Sequence, residues 1–454
     1  MSSNTRFQPG LSSLSGKPVV AAFDGGRLSS DSGVLLLGEI DRRLGISDRL
    51  AGCLRDDRAP ERIQHSYAEM IRFRTLLIAC GYPDGNDCDA LRADPAFKMA
   101  VGRLPESGED LCSQPTLSRL ENQPGRLALL RMMAAMIDLF CDSFVQVPKR
   151  VVLDIDDTED KVHGAQQLSL FHAKHDSHCL MPIHIYDGLT GKPVAMILRP
   201  GKTPSGTEVA LVLRHVVRRL RARWPKVEIT VRGDSHYGRH EAMTWCEANG
   251  VGYILGLGIN AVLKATVRDL TEDAALARLD LEDKAAKVRC YGKVRCYGEF
   301  RYGAKSWKCE RRVIARIEAS PLGADCRFIV TNLNGTPQAL YERESCQRGQ
   351  MENLIKAHKL HLASDRTSCT KATANQFRLL IHTAAYWLLH SLRGLAPKTS
   401  FWRNAQFDII RCNLIKVAGR IQETATRIKV ALPSNFPYPG SLRRLSGRVV
   451  KLPP

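Results

Sequence analysis

The chain has 454 residues, 44% apolar and 25% charged, the balance of packed globular domains with room for about three of them. Dominant disorder and low-complexity architectures are excluded, and no apolar run approaches the roughly 18–20 residues of a membrane span. The 66 Lys and Arg exceed the 47 acids, a formal +19 that points to an anionic polymer as partner rather than a membrane.

Residues 1–148 read mainly as helix, over Gly33–Leu44, Arg62–Gly81 and Gly125–Phe144, with a further start at Ser113. There Ser113 is an expected N-cap and Pro115 sits in the first turn. Short polar side chains at such a start reach phosphates or base edges in a recognition helix. They equally cap an ordinary bundle helix. Met1–Gly16 is polar and lacks the apolar stretch of a signal peptide, so a cytoplasmic protein is expected. The 14 cysteines are scattered without a C-x2-C pair, so they are expected as reduced core thiols and not as zinc ligands.

Past Pro148 the pattern changes. Arg150–Asp156 is short and β-branched, and His178–Tyr186 and Pro193–Leu198 read as two more strands. A helix over Thr207–Trp224 carries a basic face: Arg214, Arg218, Arg219, Arg221 and Arg223. A strand at Val227–Val231, a helix at His240–Asn249 and a strand at Gly252–Leu257 follow. Hairpins followed by α/β crossovers predict a mixed sheet. Residues 261–338 begin with a charged helix and continue as alternating strands, with a tandem KVRCYG hexapeptide at Lys287–Gly292 and Lys293–Gly298. Helices are expected over Glu344–Leu362, Thr373–Leu392 and Ser400–Gln422, then a strand over Arg427–Leu432 and a basic tail. From Asn353 onward 17 Lys and Arg stand against three acids, Asp365, Asp408 and Glu423, so most of the surplus charge lies in the last quarter of the chain.

Three acidic positions stand out. Asp154 and Asp156 are two apart on the first strand and share a face. Asp234 lies just past the fourth strand, where α/β sheets place their sites. Glu352 lies on a later helix. Oxygen ligands without His/Cys spacing suit Mg²⁺ or Mn²⁺. Three carboxylates can hold two such ions, one activating an attacking oxygen and the other stabilising a leaving oxygen of a phosphodiester. Arg348, Glu352, Lys356 and Lys359 share one helix face. They form either a solvated salt-bridge ladder or a metal-ligand Glu flanked by cations that grip phosphates. Arg443, Arg444, Arg448 and Lys451 in the tail are further phosphate contacts by charge.

Several motifs in one order carry a family resemblance. They are Leu153-Asp-Ile-Asp-Asp-Thr158, His163-Gly-Ala-Gln166, Leu198-Arg-Pro-Gly201 and Arg232-Gly-Asp-Ser235. Tyr341–Lys359 follows with Arg348-Gly349, Glu352-Asn353, Ile355-Lys356 and Lys359, then Ala374-Asn-Gln-Phe-Arg378 and Ala385-Tyr-Trp-Leu388. Phe23-Asp-Gly-Gly26 and Gln114–Asn122 extend the likeness toward the N-terminus. The chain resembles the DDE transposases of bacterial insertion sequences, nearest to the family numbered 1380, of the "transposase DDE domain group 1" type. The resemblance implies an α/β fold with an RNase H-like mixed-sheet catalytic core. Its expected layout is a helical DNA-end-binding domain over 1–148, the first part of the core over 149–260 and a β-rich insertion over 261–338. The catalytic-Glu helix and a basic C-terminal region take 339–454.

The resemblance also implies the site. Asp156 matches the first acid, because Asp156-Asp157-Thr158 fills an Asp-x-Thr pattern, with Asp154 a rival on the same face. Asp234 matches the second acid and Glu352 the third. Related transposases place a Tyr three positions before the Arg; here Ser345 holds that position, with Tyr341 nearby. The function implied is binding of terminal inverted repeats, two-metal strand cleavage and strand transfer into target DNA. Copies of the chain would act together on DNA at the nucleoid. A non-catalytic DNA-binding protein and a nuclease that never joins strands share the same composition and ligands, and stay open at this point.

Overall fold

The structure is a computed structural model and describes residues 9–285 and 293–452. The first hexapeptide copy lies outside the described residues. The chain divides into two compact units, one comprising Met133–Lys356 with Asp365–Ala372 and the other the remainder.

The Met133–Lys356 unit is built on an eight-stranded mixed sheet. Its strands are β1 (Arg150–Asp157), β2 (Ile183–Asp187), β3 (Pro193–Ile197), β4 (Glu228–Gly233), β5 (Gly252–Leu257), β6 (Val294–Tyr302), β7 (Arg311–Ser320) and β8 (Gly323–Thr331). They lie in the order β6-β7-β8-β5-β4-β1-β2-β3. The strands β1, β2 and β3 pair antiparallel in succession, β1 and β2 joined through residues 158–182. The crossover strands β4 and β5 run parallel to β1 and to each other. Val151, Val152, Leu153 and Ile155 of β1 are fully buried, as a strand covered on both faces requires. Helices Gly206–Arg223 and His240–Ala248 make the crossovers, the first capped by Ser205 accepting from the Glu208 amide.

In this unit two elements differ from the sequence reading. His178–Tyr186 is two strands, because Pro182 has no amide to give a ladder. Ser177–Leu180 joins a small sheet with Asp160–Lys161 and Leu170–His172, and Ile183–Asp187 joins the large one. The strands of residues 261–338 extend the large sheet. β8 pairs antiparallel with β5, and β7 and β6 continue outward, so the edge of the parallel strands is covered. The expected Glu344–Leu362 helix is α-helical only over Gln350–Lys356, after a π turn at Leu340–Ser345 and a 3₁₀ turn at Cys346–Gly349.

The other unit is mostly helical and discontinuous in sequence. Its N-terminal part contains helices Val34–Leu44, Tyr67–Ala79, Pro95–Val101 and Gln114–Asn122, and its C-terminal part contains the long buried helix Ala372–Gly394 and the terminal helix Pro439–Val449. The buried Arg74 guanidinium ties this unit internally, bonding Glu121 and the carbonyls of Tyr82, Pro83 and Asp84. Ser400–Gln422 is not one helix. Gly419–Glu423 is a strand between Leu28–Ser29 and Ile428–Ala431. It approaches Ser32 so closely that a Cβ on Gly419 would collide with the Ser32 Oγ. Among the described residues no helix is long and apolar enough to cross a membrane.

Candidate active site

β1 directs Asp154 and Asp156 to one face, but their surroundings differ. Asp154 lies opposite Arg232 of β4 in the parallel register. Its carboxylate accepts from Arg232 Nε at 2.6 Å and from Nη2 at 2.7 Å, with both residues essentially without solvent exposure. Arg232 Nη1 also donates to the Glu344 carbonyl at 2.6 Å. Burial presses the Asp154 carboxyl above its ordinary value, and the guanidinium draws it back down. The next chain segment closes over this pair at Gly188, where a Cβ would collide with both Arg232 Nη2 and Asp154 Oδ2. Asp154 is thus an acceptor already committed to a planar, two-pronged partner.

Asp156 sits one pleat closer to the carboxyl end of β1. Its Oδ2 accepts from Arg348 Nη2 at 2.7 Å, and its Oδ1 accepts from the Asp157 amide at 3.0 Å. Asp234 follows the end of β4, and its Oδ1 accepts from the His236 amide at 2.8 Å, a side-chain turn that fixes the carboxylate at the strand exit. Burial pushes the Asp156 carboxyl up to about 7; Arg348 pulls it down, and the charges of Asp234 and Asp157 push it further up. Asp157 is raised by burial and then by Asp234. Asp156 and Asp157 therefore both feel the charge of Asp234 at the strand exits, with partial compensation from Arg348 at Asp156 and from His236 and Arg199 at Asp157.

This donor set fits a divalent cation. The donors are carboxylate oxygens that repel one another, and a 2+ ion would relieve that repulsion. The third expected acid is less closely placed. Glu352 is exposed on the Gln350–Lys356 helix, one turn beyond Arg348. Among the described residues no three His, Cys, Asp or Glu side chains stand together in a metal-holding group. The structure brings Asp156 and Asp234 together and leaves Glu352 outside that pair.

The cations divide similarly. Arg348 reaches Asp156 on the neighbouring strand. Lys356 is exposed, while Lys359 belongs to the other unit. Tyr341, near the position held by Ser345, is buried with Ile254, Ile314, Ile329 and Leu340 and offers no surface contact. Of the basic face on Gly206–Arg223, Arg219 and Arg223 pair with Asp138 and Asp142, and Arg221 donates to the Asn249 carbonyl. Arg214 and Arg218 remain exposed. Arg443, Arg444, Arg448 and Lys451 are exposed on and just after the terminal helix, with Arg448 also donating to the Leu395 carbonyl at 2.7 Å.

Sequence reasoning missed two neighbours of the acids. Asp157 gave a signal only as the second half of an Asp-Asp pair. Tyr237 is fully buried, its hydroxyl has no hydrogen-bond partner among the described residues, and its ionisation is pushed upward by burial and then by Asp157, Asp156 and Asp234. A tyrosine three residues beyond Asp234 carries no local pattern that marks it.

Comparison with known proteins adds three findings. A family model described as "Transposase DDE domain group 1" matches residues 11–454. No curated protein matches the chain. Among solved structures, it is similar to the piggyBac transposase in a cryo-EM synaptic complex with hairpin DNA, at a TM-score of 0.38 and 11% identity, covering 94% of this chain and 86% of that one.

Proposed function

Because the chain belongs to the transposase DDE domain group 1 family, we propose that it binds the terminal inverted repeats of a mobile element, cuts DNA there and joins the freed 3′-hydroxyl to target DNA. DDE transposases generally work with divalent metal ions. In this reading β3-β2-β1-β4-β5, with three antiparallel strands followed by two parallel crossovers, is an RNase H-like core.

The observation that carries the proposal is the convergence of Asp156 and Asp234 at neighbouring strand exits, with Asp156 pushed up to about 7 partly by Asp234. Asp156 and Asp234 would hold Mg²⁺ or Mn²⁺, with Glu352 completing a two-ion site as its helix moves in. Bound ions supply activation of the attacking oxygen and stabilisation of the leaving oxygen. Asp154 serves instead to lock β1 to β4 through Arg232. Arg348 and Lys356 grip phosphates beside the acids. Lys359, Arg443, Arg444, Arg448 and Lys451 add sequence-independent contacts from the other unit. The Gln114–Asn122 region contributes to reading the ends, and copies of the chain assemble on the DNA at the nucleoid.

A strand-transfer assay with Mg²⁺ tests the proposal. Joined products support it. Nicks without joining assign a nuclease, and binding without either assigns a DNA-binding protein without catalysis.

A further inference from the structure

The two arginines that meet the β1 acids hold them differently. Arg232 makes three hydrogen bonds at 2.6–2.7 Å and is 1% exposed. Arg348 makes one, to Asp156 Oδ2, and its Nε is buried without a hydrogen-bond partner among the described residues. Its side chain remains 24% exposed. The first contact has the geometry of a permanent tie. The second is monodentate and under-satisfied, so exchange of its partner leaves little behind.

The backbone beside Arg348 also departs from a continuous helix. A π turn at Leu340–Ser345 and a 3₁₀ turn at Cys346–Gly349 precede the α-helical turns that carry Glu352. Such breaks in the hydrogen-bond ladder mark places where helices shift or hinge. In the arrangement seen, Arg348 is on Asp156 and Glu352 stands apart from Asp156 and Asp234.

We propose that Arg348 is a resident counter-cation, which occupies the Asp156 carboxylate until a divalent cation replaces it, and which is released most readily when a DNA phosphate takes its guanidinium. The proposal rests on the reading of Asp156 as a metal ligand. It makes Arg348 a positioning residue whose two partners, carboxylate and phosphate, compete. DNA binding and metal binding then favour each other, because each removes what opposes the other, and the coupling is reciprocal. Without DNA the site is held in a cation-satisfied form that binds metal weakly.

Calorimetry with Mn²⁺ on the full chain tests this, with and without a short duplex, for wild type, Arg348→Gln, Arg348→Lys and Asp156→Asn. Without DNA, Arg348→Gln binds Mn²⁺ about two- to fivefold more tightly than wild type, the worth of one partly exposed ion pair. Arg348→Lys retains a cation and stays closer to wild type. The duplex strengthens Mn²⁺ binding to wild type and does so less for Arg348→Gln. If Arg348→Gln binds Mn²⁺ no more tightly while Asp156→Asn binds it far more weakly, the counter-cation role is overturned and the metal-ligand reading stands. If Asp156→Asn binds as wild type does, the ligand reading fails and takes this proposal with it. Unfolding curves of each variant separate a lost fold from a changed site.

Discussion

Deleting the Asp154 carboxylate is expected to cost stability before it costs chemistry. The Arg232 guanidinium it pairs with is 1% exposed and crosses between the two central strands. In Asp154→Ala that charge keeps only its bond to the Glu344 carbonyl and has no acid within the pair. Breaking a buried ion pair by removing one member costs about 3–5 kcal/mol, because the remaining charge is left desolvated. Removing both members is different. Asp154→Leu with Arg232→Met replaces two desolvated groups by apolar ones of similar size, which is often neutral or stabilising. The double variant should therefore recover most of the loss. Urea unfolding, with amide exchange of β1 and β4 as a local probe, measures both. An Asp154→Ala protein within about 1 kcal/mol of wild type, well below the expected range, would refute the assignment of this pair as the tie of the central sheet.

Three further outcomes follow from the site. Asp234→Asn and Glu352→Gln should each abolish Mg²⁺-dependent cleavage while leaving DNA retention in gel-shift assays largely intact; cleavage surviving in either variant removes that residue from the ligand set. Neutralising Arg443, Arg444, Arg448 and Lys451 should flatten the dependence of log K on log salt by up to about 0.9 for each phosphate that is no longer neutralised, and an unchanged slope assigns them to surface charge alone. The Asp156 carboxyl sits at about 7 in the fold against an ordinary 3.8, so the folded chain holds that proton more tightly than the unfolded one. Metal-free protein should accordingly lose stability as pH rises from about 4 to about 7, by at most about 4 kcal/mol for this group. Asp156→Asn should remove that part of the decline in unfolding curves taken from pH 4 to pH 8; an identical pH profile in the variant would sink the explanation.

Much of the sheet was legible because its strands are short, β-branched and bounded by turns. β1 and β5 fall within a residue of the expected positions, and the hairpin-then-crossover order predicts a mixed sheet. Failures came where a local pattern had two solutions. Ser400–Gln422 contains helical stretches, yet Gly419 and Ile421 end in a strand because Leu28–Ser29 offers an edge nearly 400 residues earlier in the chain. Glu344–Leu362 has the composition of a helix, and its π and 3₁₀ turns leave no mark in periodicity. The acids were visible as residue types in suggestive places. Their partners were not, since Arg348 stands 192 positions from Asp156 and Arg232 stands 78 from Asp154.

For the pair of aspartates on β1, the structure supplies the physical cause of a distinction that the sequence draws only by resemblance. A strand period of two places both on one face, and the Asp-x-Thr pattern that favours Asp156 gives no physical reason for the preference. What separates them is the residue that the neighbouring strand presents. Parallel register sets Arg232 opposite Asp154, one residue before β4 ends at Gly233. Two residues further on, β4 has run out, and the position beside Asp156 is open to the turn that carries Asp234. The same strand therefore spends its first acid on an arginine that ties the sheet together. It delivers its second to the exit, where the charge of Asp234 raises its pKa and Arg348 partly offsets that. A shift of β4 by two residues would exchange these roles without altering any residue of β1.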